Sequence, residues 1–454
     1  MSRQEHIPRS RADVRGLRSS IVGDRGDVRS LAGDAVSSLE LEILQKGCPV
    51  GESLGSLQDV QKALGLGRPA LRETITVLEA RGLLQTRRGP GGGLFVAAPT
   101  PEDVIGALLM HLTISNASAD CVTEFRLLTW RVICDVARET HTPADPLVDS
   151  SDLGFAVDLA TRIGKPALVL IGTIAEMLVR ACGGRKAPAV DKILDEARRA
   201  DDAAGVRSRL KELSSDNIEL KAPIIALEAA EHGLFWTGRK SAMVVAARLT
   251  RELALGSAPV EAEWQTAERL GFTEQAVRQA RRILQDFGVV LCHQGRKGAV
   301  WTPPTDPGGI VRLLAPCFVA SGVSSGDNIE VAAHLVTLAP ELAATKQASR
   351  DVVKVLLQDI KPQSLTETEM FDAENMLLKL GGNPLLEIMV RTLGLANIFS
   401  EDMPTVWADK VDMLSFNTRI LEAIVQGDAA SARSIARAKS DAMNAAAKKS
   451  KSLM

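Results

Sequence analysis

The sequence predicts a mainly α-helical chain in which one structural unit occurs twice. Residues 58–97 contain two short helical patterns, a tight glycine turn and a glycine-rich hairpin pattern. The same layout returns in residues 264–301, and each copy is followed by a long stretch of helical periodicity. A chain of 454 residues with 45% hydrophobic content is long enough to fold as several domains.

In the first copy, a helix is predicted from about Gln58 to Leu64, and Gly65 ends it. After a turn of three residues, a second helix is predicted from about Pro69 to Arg81, because proline is well suited to the first turn of a helix. Its apolar face consists of Leu71, Ile75 and Leu78. Arg68 and Arg72 lie off that face, at the start of the helix.

A hairpin is predicted directly after the second helix. Gly82 ends the helix where a left-handed residue is favoured. Two β-like runs, Leu83–Arg87 and Leu94–Ala97, then flank a glycine-rich tip that includes Arg88 and Gly89. Two helices at an angle followed by a two-stranded hairpin form the layout of a winged helix-turn-helix, which binds duplex DNA.

The second copy aligns with the first at a constant offset of 206 residues. The corresponding pairs are Gly65 and Gly271, Leu71 and Val277, Arg72 and Arg278, Leu78 and Leu284, Gly82 and Gly288, Gly89 and Gly295, and Gly92 and Gly298. In the helical regions, Gly164-Lys165-Pro166 parallels Gly382-Asn383-Pro384. The sequence therefore predicts an internal repeat of a winged module and a helical domain.

Composition narrows the class of protein. With ten Phe, five Trp and no Tyr, the chain lacks the aromatic platforms that bind single-stranded nucleic acids. No apolar run reaches the ~18 residues of a membrane span, and the N-terminus has no hydrophobic signal core, so we expect a cytoplasmic protein that does not bind membranes. The six cysteines show no metal-binding spacing and are expected to be buried thiols in a reducing compartment.

No motif indicates an enzyme or a cofactor. The run Arg88-Gly89-Pro90-Gly91-Gly92-Gly93 lies between strands, whereas a phosphate-binding loop of the GxxxxGK[ST] type opens a helix. Cys292 and His293 are neighbours on a predicted strand, so their side chains point to opposite faces. The net charge is −2, yet both modules are locally positive, as expected for DNA-binding modules on a near-neutral body.

The predicted domain organisation follows from these patterns and from proline-rich linkers near Pro99 and Pro303. Its segments are a basic flexible arm (1–33), a first winged helix-turn-helix (34–100), a first helical domain (101–235), a second winged helix-turn-helix (236–305), a second helical domain (306–446) and a basic tail (447–454). Below, 34–100 and 236–305 are called the first and second module, and 101–235 and 306–446 the first and second helical region.

These residues resemble the GntR superfamily of bacterial transcription regulators, in its FadR-like branch. The resemblance is carried by LGLGRPALRETITVLEARGLL with its glycine hairpin and by LGFTEQAVRQARRILQDFGVV with HQGRKG. It extends to the helical regions through DLGFAVDLATRIGKPAL and NMLLKLGGNPLLEIMV. The family pairs a winged helix with an all-helical ligand-sensing domain, the FCD domain, so the resemblance implies a tandem duplication of that pair.

The resemblance also implies DNA-binding residues, because in such proteins the start of the second helix contacts bases and the hairpin tip enters the minor groove. In the first module these positions are Gln58, Arg68, Ala70, Arg72, Arg87, Arg88 and Gly89; in the second they are Glu274, Gln275, Arg278, Gln294, Gly295, Arg296 and Lys297. Glu274 in place of Arg68 predicts that the second module binds a different half-site or contributes mostly non-specific affinity.

Many FCD domains hold a metal with one Asp and three His. The corresponding positions of the second helical region are Met370, Glu374, Asn417 and Lys439, which is a poor set for zinc, so no metal is predicted. In the first helical region, Arg126 and Asp152 are candidate contacts of a small-molecule effector, and a structural ion pair is the alternative role for them.

The sequence therefore predicts a transcription regulator whose two winged helices bind an imperfect palindrome in double-stranded DNA. Both modules lie in one chain, so they would form a pseudo-dimer, and pairing of two chains into a homodimer is left open. The alternative is a protein-interaction or dominant-negative factor, which pairs through its helical regions and binds DNA with little specificity.

Overall fold

The computed structural model describes residues 31–142, 154–184, 220–230, 240–257, 261–295, 298–302, 307–359, 367–399 and 413–452. The fold is mainly helical, as predicted, with two small antiparallel sheets among these residues. The described residues divide into two compact units, 31–323 and 324–452. None of the described helices combines enough length with enough apolar character to cross a membrane.

The elements of the first module and the first helical region follow in chain order. They are α1 (Leu31–Gln45), β1 (Ser53–Gly55), α2 (Leu57–Leu64), α3 (Arg68–Ala80), β2 (Leu84–Arg87), β3 (Gly93–Val96), α4 (Pro101–Ile114), α5 (Ala119–Glu139), α6 (Phe155–Ile163), α7 (Pro166–Ala181) and α8 (Pro223–Ala230). Helix α1 begins at Leu31, so the predicted arm of residues 1–33 overlaps the first turn of a helix.

The second module and the second helical region supply the remaining elements. They are α9 (Lys240–Ala254), α10 (Glu263–Leu270), α11 (Glu274–Asp286), β4 (Leu291–Gly295), β5 (Gly298–Thr302), α12 (Gly308–Ala320), α13 (Ser325–Val336), α14 (Leu338–Thr345), α15 (Gln347–Asp359), α16 (Glu367–Gly381), α17 (Pro384–Ile398), α18 (Met413–Gln426) and α19 (Ala429–Ser452). Helix α19 continues to Ser452, through most of the predicted basic tail.

Glycine and capping residues set the bounds of the first two-helix pair. Ser56 caps α2 by accepting from the Asp59 backbone N–H, while Asp59 accepts from the Ser56 backbone N–H. At the other end Gly65 is left-handed, with φ of 63°. Both predicted helices are found within one residue of their predicted starts. The apolar face of α3 packs in a small core made of Ala35, Val60, Leu66, Leu71, Ile75 and Leu94.

The predicted hairpin is part of a three-stranded sheet in the order β1-β3-β2. Leu84 pairs with Val96 and Arg87 with Gly93, which fixes the hairpin register. Strand β1 was not predicted. It pairs with β3 so closely that a Cβ on Gly93 would lie 2.5 Å from the Gly55 carbonyl oxygen, and only glycine fits there.

The second module repeats the helix bounds of the first. Helices α10 and α11 start and end at the positions that correspond to α2 and α3, and Gly271 is left-handed like Gly65. A two-stranded sheet, β4 with β5, follows them. The predicted internal repeat is therefore present in the backbone as well as in the sequence.

Helix α12 lies in the same compact unit as the two modules and packs against α4. The sequence assigned it to the second helical region. In the second unit, helices α13 to α19 form an all-helical bundle; part of its core consists of Ala343, Leu377, Leu380, Ile420, Leu421, Ile424 and Ala432.

Candidate nucleic-acid interface

The start of α3 carries two arginines that point away from the protein core. Arg68 and Arg72 are exposed, and neither makes a hydrogen bond or an ion pair within the described residues. Arg68 lies in the first turn, where the helix dipole is positive, and no acidic residue offsets it there. A cation at that end costs about 0.3–1 kcal/mol, so Arg68 does not stabilise its own helix.

The backbone of the same helix end is also open. Gly67 occupies the N-cap position, and no side chain caps the helix there. The first N–H groups of α3 therefore remain available to an external acceptor such as a phosphate oxygen. Gln58, in the first turn of α2, is exposed as well. Ala70 is only half-exposed and packs against the small core of the module, so it is less available than the two arginines.

The hairpin is fixed to α3 by side-chain hydrogen bonds. The Glu79 carboxylate accepts from the Thr86 hydroxyl at 2.6 Å and from the Thr86 backbone N–H at 3.1 Å. Arg87 lies over the Phe95 ring, 4.2 Å from its centroid. Arg88 and Gly89 are exposed at the tip. The hairpin arginines are thus carried on a sheet whose position relative to α3 is set by Glu79.

The tip itself requires glycine. A Cβ at Gly92 would lie 2.5 Å from the Arg87 carbonyl oxygen and 2.7 Å from that of Gly89. The Gly92 N–H donates to the Gly89 carbonyl at 2.9 Å, which closes the turn. A compact tip of this kind, with Arg88 exposed on it, suits insertion into a narrow groove.

The equivalent helix start in the second module has different chemistry. Thr273 caps α11 by accepting from the Ala276 N–H at 3.2 Å, and Glu274 in the first turn is favourable to the helix dipole. Arg278 is exposed but forms an ion pair with Glu263, with Nε 2.9 Å from Oε2. Gln275 is exposed. The second helix start is therefore stabilised from within, whereas the first is not.

The hairpin of the second module is described only in its strands. Gln294 pairs with Ala299 and Gly295 with Gly298 at the end of the β4–β5 ladder. Arg296 and Lys297 lie outside the described residues, and so does Asp152 of the first helical region.

Several basic residues that contribute to the positive charge of the two modules form hydrogen bonds or ion pairs within the protein. Arg81 is buried, with Nη1 2.7 Å from the Glu40 carboxylate and Nε 2.7 Å from that of Asp286. In the second module the internally bonded residues are Arg269 with Glu252 and Glu261, Arg281 with Thr266, and Arg282 with Glu73. The charge count therefore overstates the exposed positive charge, most of all in the second module.

Two of these bonds join the modules to each other, which the sequence did not predict. Arg81 at the end of α3 binds Asp286 of α11, and Glu73 of α3 binds Arg282 of α11. Burial disfavours the charge on Arg81, but the carboxylates of Asp286 and Glu40 outweigh it and raise the pKa of the guanidinium. In the repeat register, Arg81 corresponds to Phe287 and Glu73 to Gln279, so both positions differ between the copies. These two differences between the copies are the only sequence feature that relates to the contacts between the modules.

Arg126, the candidate effector contact, is buried in the first helical region and bound to Glu176. Its Nε and Nη2 atoms lie 3.0 and 2.7 Å from the two carboxylate oxygens of Glu176. Trp130 donates its indole N–H to the same carboxylate at 2.7 Å, and the guanidinium lies over its ring. This geometry matches the structural ion pair that the sequence left open as the alternative role.

Three of the four positions that the resemblance relates to a metal site come together in the second helical region. Lys439 donates to the Asn417 side-chain oxygen at 2.7 Å and also to the Glu374 carboxylate. The Met370 side chain lies outside the described residues. A lysine ammonium has no lone pair for a metal, so these residues do not fit one. Among the residues that the structure describes, no group of three or more His, Cys, Asp or Glu could hold a metal ion.

No protein-family model, curated protein or solved structure matches this chain. The functional interpretation therefore depends on the residues and on their geometry.

Proposed function

We propose that this protein is a transcriptional regulator that binds double-stranded DNA through two winged helix-turn-helix modules in one chain. It would be a tandem member of the FadR-like branch of the GntR superfamily, with FCD-like helical regions. The observation that carries this proposal is the start of α3. There, Arg68 and Arg72 are exposed, without partners among the residues that the structure describes, at an uncapped positive helix end.

Arginine at these places suits a DNA groove for a chemical reason. Its planar guanidinium can donate two hydrogen bonds to O6 and N7 of one guanine, and such a pair is worth about 1–3 kcal/mol of discrimination. The open N–H groups at the start of α3 can bind a neighbouring phosphate. Arg88 at the hairpin tip would bind the backbone or the minor groove next to it.

The two modules would contribute unequally. In the second module, Glu274 replaces a cation with an anion, and Arg278 must first leave Glu263 before it can bind a base. An exposed ion pair of this kind contributes at most about 1 kcal/mol, so it can open when DNA binds. The second module would therefore bind a weaker half-site, and the operator would be an imperfect palindrome.

The alternative function, a protein-interaction factor, is favoured by one observation in the second module. Trp264, which takes the place of Gln58, is 56% exposed on α10 and lies one residue from Glu263. An exposed tryptophan is more typical of protein interfaces than of a phosphate-binding surface.

Titration of the full chain with a random-sequence DNA duplex, followed by fluorescence anisotropy at several salt concentrations, tests the proposal. We expect the logarithm of the association constant to fall linearly with the logarithm of the salt concentration. The double variant Arg68→Ala, Arg72→Ala should bind more weakly. The control is Arg180→Ala, which removes an exposed arginine of α7. Absence of salt-dependent binding, or equal losses in both variants, would refute DNA binding through α3 and favour the interaction protein.

A further inference from the structure

The two modules carry opposite charges on corresponding surfaces. The first face is the exposed surface of the first module that is formed by Gln58, Lys62, Arg68 and Arg72. Its counterpart 206 residues later is also exposed and is called the second face; it is formed by Trp264, Glu268, Glu274 and Arg278. A basic surface in one module therefore corresponds to a mainly acidic surface in the other.

An ion pair shows that each face extends over two helices. The Nε atom of Arg278, on α11, lies 2.9 Å from Oε2 of Glu263, in the first turn of α10. Trp264 is the next residue on α10. Side chains four residues apart lie on one side of a helix, so Glu268 lies beside Trp264, and Glu274 lies beside Arg278 by the same spacing. Because both copies have the same helix bounds, the first face is continuous in the same way.

The first face has a net positive charge, which Lys62, Arg68 and Arg72 supply. Neither arginine forms a hydrogen bond or an ion pair within the described residues. Leu57 occupies the place of the carboxylate that holds the corresponding arginine of the second module, so Arg72 lacks that partner. The acidic residue in this stretch, Asp59, is engaged in the cap of α2. The first face can therefore receive carboxylates from another molecule.

The second face has the opposite net charge. Arg278 is neutralised by Glu263. The carboxylates of Glu268 and Glu274 are exposed and have no hydrogen bond or ion pair within the part of the chain that the structure describes. Two negative charges therefore remain beside the exposed indole of Trp264. Such a surface repels phosphate groups and attracts lysine and arginine.

Each face also adjoins or includes one exposed apolar side chain. Trp264 is 56% exposed, and Leu57, which precedes Gln58 of the first face, is 45% exposed. They lie in the first turns of α10 and α2, respectively. An apolar centre inside a charged rim is the usual arrangement of a protein interface, in which burial supplies affinity and charge supplies specificity. A protein surface that combines lysine, arginine and one apolar side chain therefore fits the second face.

The first face presents this combination, but not to the second face of its own chain. The ion pairs between the modules join Arg81 to Asp286 and Glu73 to Arg282. Within the described residues, no hydrogen bond or ion pair joins one face to the other. In this arrangement of the modules, the two faces can meet only when they belong to different chains.

We propose that the second face of one chain binds the first face of a second copy of this chain. The carboxylates of Glu268 and Glu274 would pair with the lysine and the arginines of the first face, and the indole of Trp264 would pack on Leu57. Because the two faces differ, the contact is heterologous and either closes between two chains or continues from chain to chain. With four or five residues on each side it is smaller than a standard interface, so we expect weak association that salt weakens further.

This contact uses the same arginines as DNA binding. In a chain that binds DNA as proposed above, a second copy and DNA would compete for Arg68 and Arg72. Self-association itself does not require DNA, so either proposal can fail without the other.

Sedimentation velocity of the full chain without DNA, over a range of protein concentrations, tests this proposal. We expect the weight-average mass to rise with protein concentration at about 0.05 M salt and to rise much less at about 0.5 M, because salt shortens the range of charge attraction. The proposal is overturned if the mass does not rise at low salt, or if it rises equally at both salt concentrations.

Two charge variants locate the contact. The acidic variant, Arg68→Glu with Arg72→Glu, has two acidic faces, and the basic variant, Glu268→Lys with Glu274→Arg, has two basic faces. Each variant alone should self-associate at least about tenfold more weakly than the natural chain. An equimolar mixture should associate again, because the second face of the acidic variant meets the first face of the basic variant. No recovery in the mixture would contradict the head-to-tail contact.

The controls are Arg180→Glu and Glu422→Lys, which change charge at exposed positions of α7 and α18 and should leave association unchanged. Trp264→Gln, which restores the residue of the first module, should weaken association at both salt concentrations. Circular dichroism checks that each variant is folded. Equal losses in the controls and in the charge variants would show that association follows net charge alone, and would overturn the proposal.

Discussion

Arg81, at the C-terminal end of α3, and Asp286 of α11 form a bidentate ion pair, with Nε 2.7 Å from Oδ2 and Nη2 2.5 Å from Oδ1. Glu40 of α1 binds the same guanidinium at 2.7 Å, so one buried cation is held by two carboxylates from different parts of the unit. The two modules are therefore joined by a charged contact that excludes most solvent.

Replacing Arg81 should destabilise the protein strongly. In Arg81→Ala, the buried carboxylate of Glu40 loses the cation that neutralises it, and removal of one partner from such a network typically costs about 3–5 kcal/mol. Urea unfolding measures the difference. Lys46→Ala, which breaks an exposed pair with Glu42, is the control and should leave the midpoint nearly unchanged. Similar midpoints for both variants would show that the link between α3 and α11 does not stabilise the fold.

The two arginines of the first module should have separable effects on DNA. Arg72→Ala should relax the choice of one base pair, by about 1–3 kcal/mol of discrimination. Arg88→Ala should weaken binding to all sequences alike. It should also reduce the slope of the logarithm of the association constant against the logarithm of the salt concentration by about 1, which corresponds to one phosphate contact. Anisotropy titrations with a selected operator and its single-base variants distinguish these outcomes. If Arg72→Ala left the sequence preference intact, Arg72 would not contact a base.

Converting the second module toward the first should strengthen DNA binding. Glu274→Arg restores the cation that Arg68 supplies in the first module, and each additional phosphate contact steepens the salt slope by about 0.9. Titration of a random duplex at several salt concentrations shows the change, with Glu422→Arg, an exposed site in α18, as the control for net charge. An unchanged slope in Glu274→Arg would mean that the start of α11 does not approach DNA.

The half-sites should lie close together. A Glu–Arg ion pair spans at most about 14 Å between Cα atoms, and Arg72 and Arg278 lie within one helical turn of the paired residues Glu73 and Arg282. The Cα atoms of Arg72 and Arg278 are therefore within about 24 Å, and because each arginine side chain reaches about 7 Å, the bases that they contact lie within about 38 Å. Operators with spacers varied one base pair at a time should bind best when the contacted bases are at most about eleven pairs apart, at ~3.4 Å per pair. An optimum at two helical turns would contradict this geometry.

The cysteines provide a pH-dependent test. Burial raises the pKa of Cys134 to about 12 and that of Cys48 to about 11. Because the folded-state pKa lies above that of an unfolded thiol, the stabilising contribution is complete below about pH 8.5 and is lost as the pH rises toward 11–12. Both thiols should be unreactive with a thiol reagent at pH 8 in the native protein and reactive in denaturant. Fast native labelling at pH 8, mapped to these residues by mass spectrometry, would show that the sites are open.

Local sequence signals predicted the helices of both modules because glycine and proline act on their own neighbours. Gly65, Gly271 and Pro69 fix turns and helix starts whatever surrounds them. The exposure of Arg68 and Arg72 followed in the same way, from their place off the apolar face of one helix. The break between α13 and α14 also had a local cause, since the ring of Pro340 clashes with the carbonyl of Val336.

Contacts between distant segments were not accessible in this way. The pairing of β1 with β3 and the link from Arg81 to Asp286 each join residues more than 35 positions apart. Nothing in the sequence around Arg81 distinguishes a buried arginine from a DNA-binding one.

Selection of bound sites from a pool of random duplex DNA by the full chain tests the central proposal most directly. We predict enrichment of an imperfect palindrome with two closely spaced, unequal half-sites, and loss of one conserved guanine from the stronger half-site when Arg72→Ala is used. A pool that shows no enriched motif after repeated selection, with a folded and monodisperse protein, would contradict the proposal that this chain is a sequence-specific regulator.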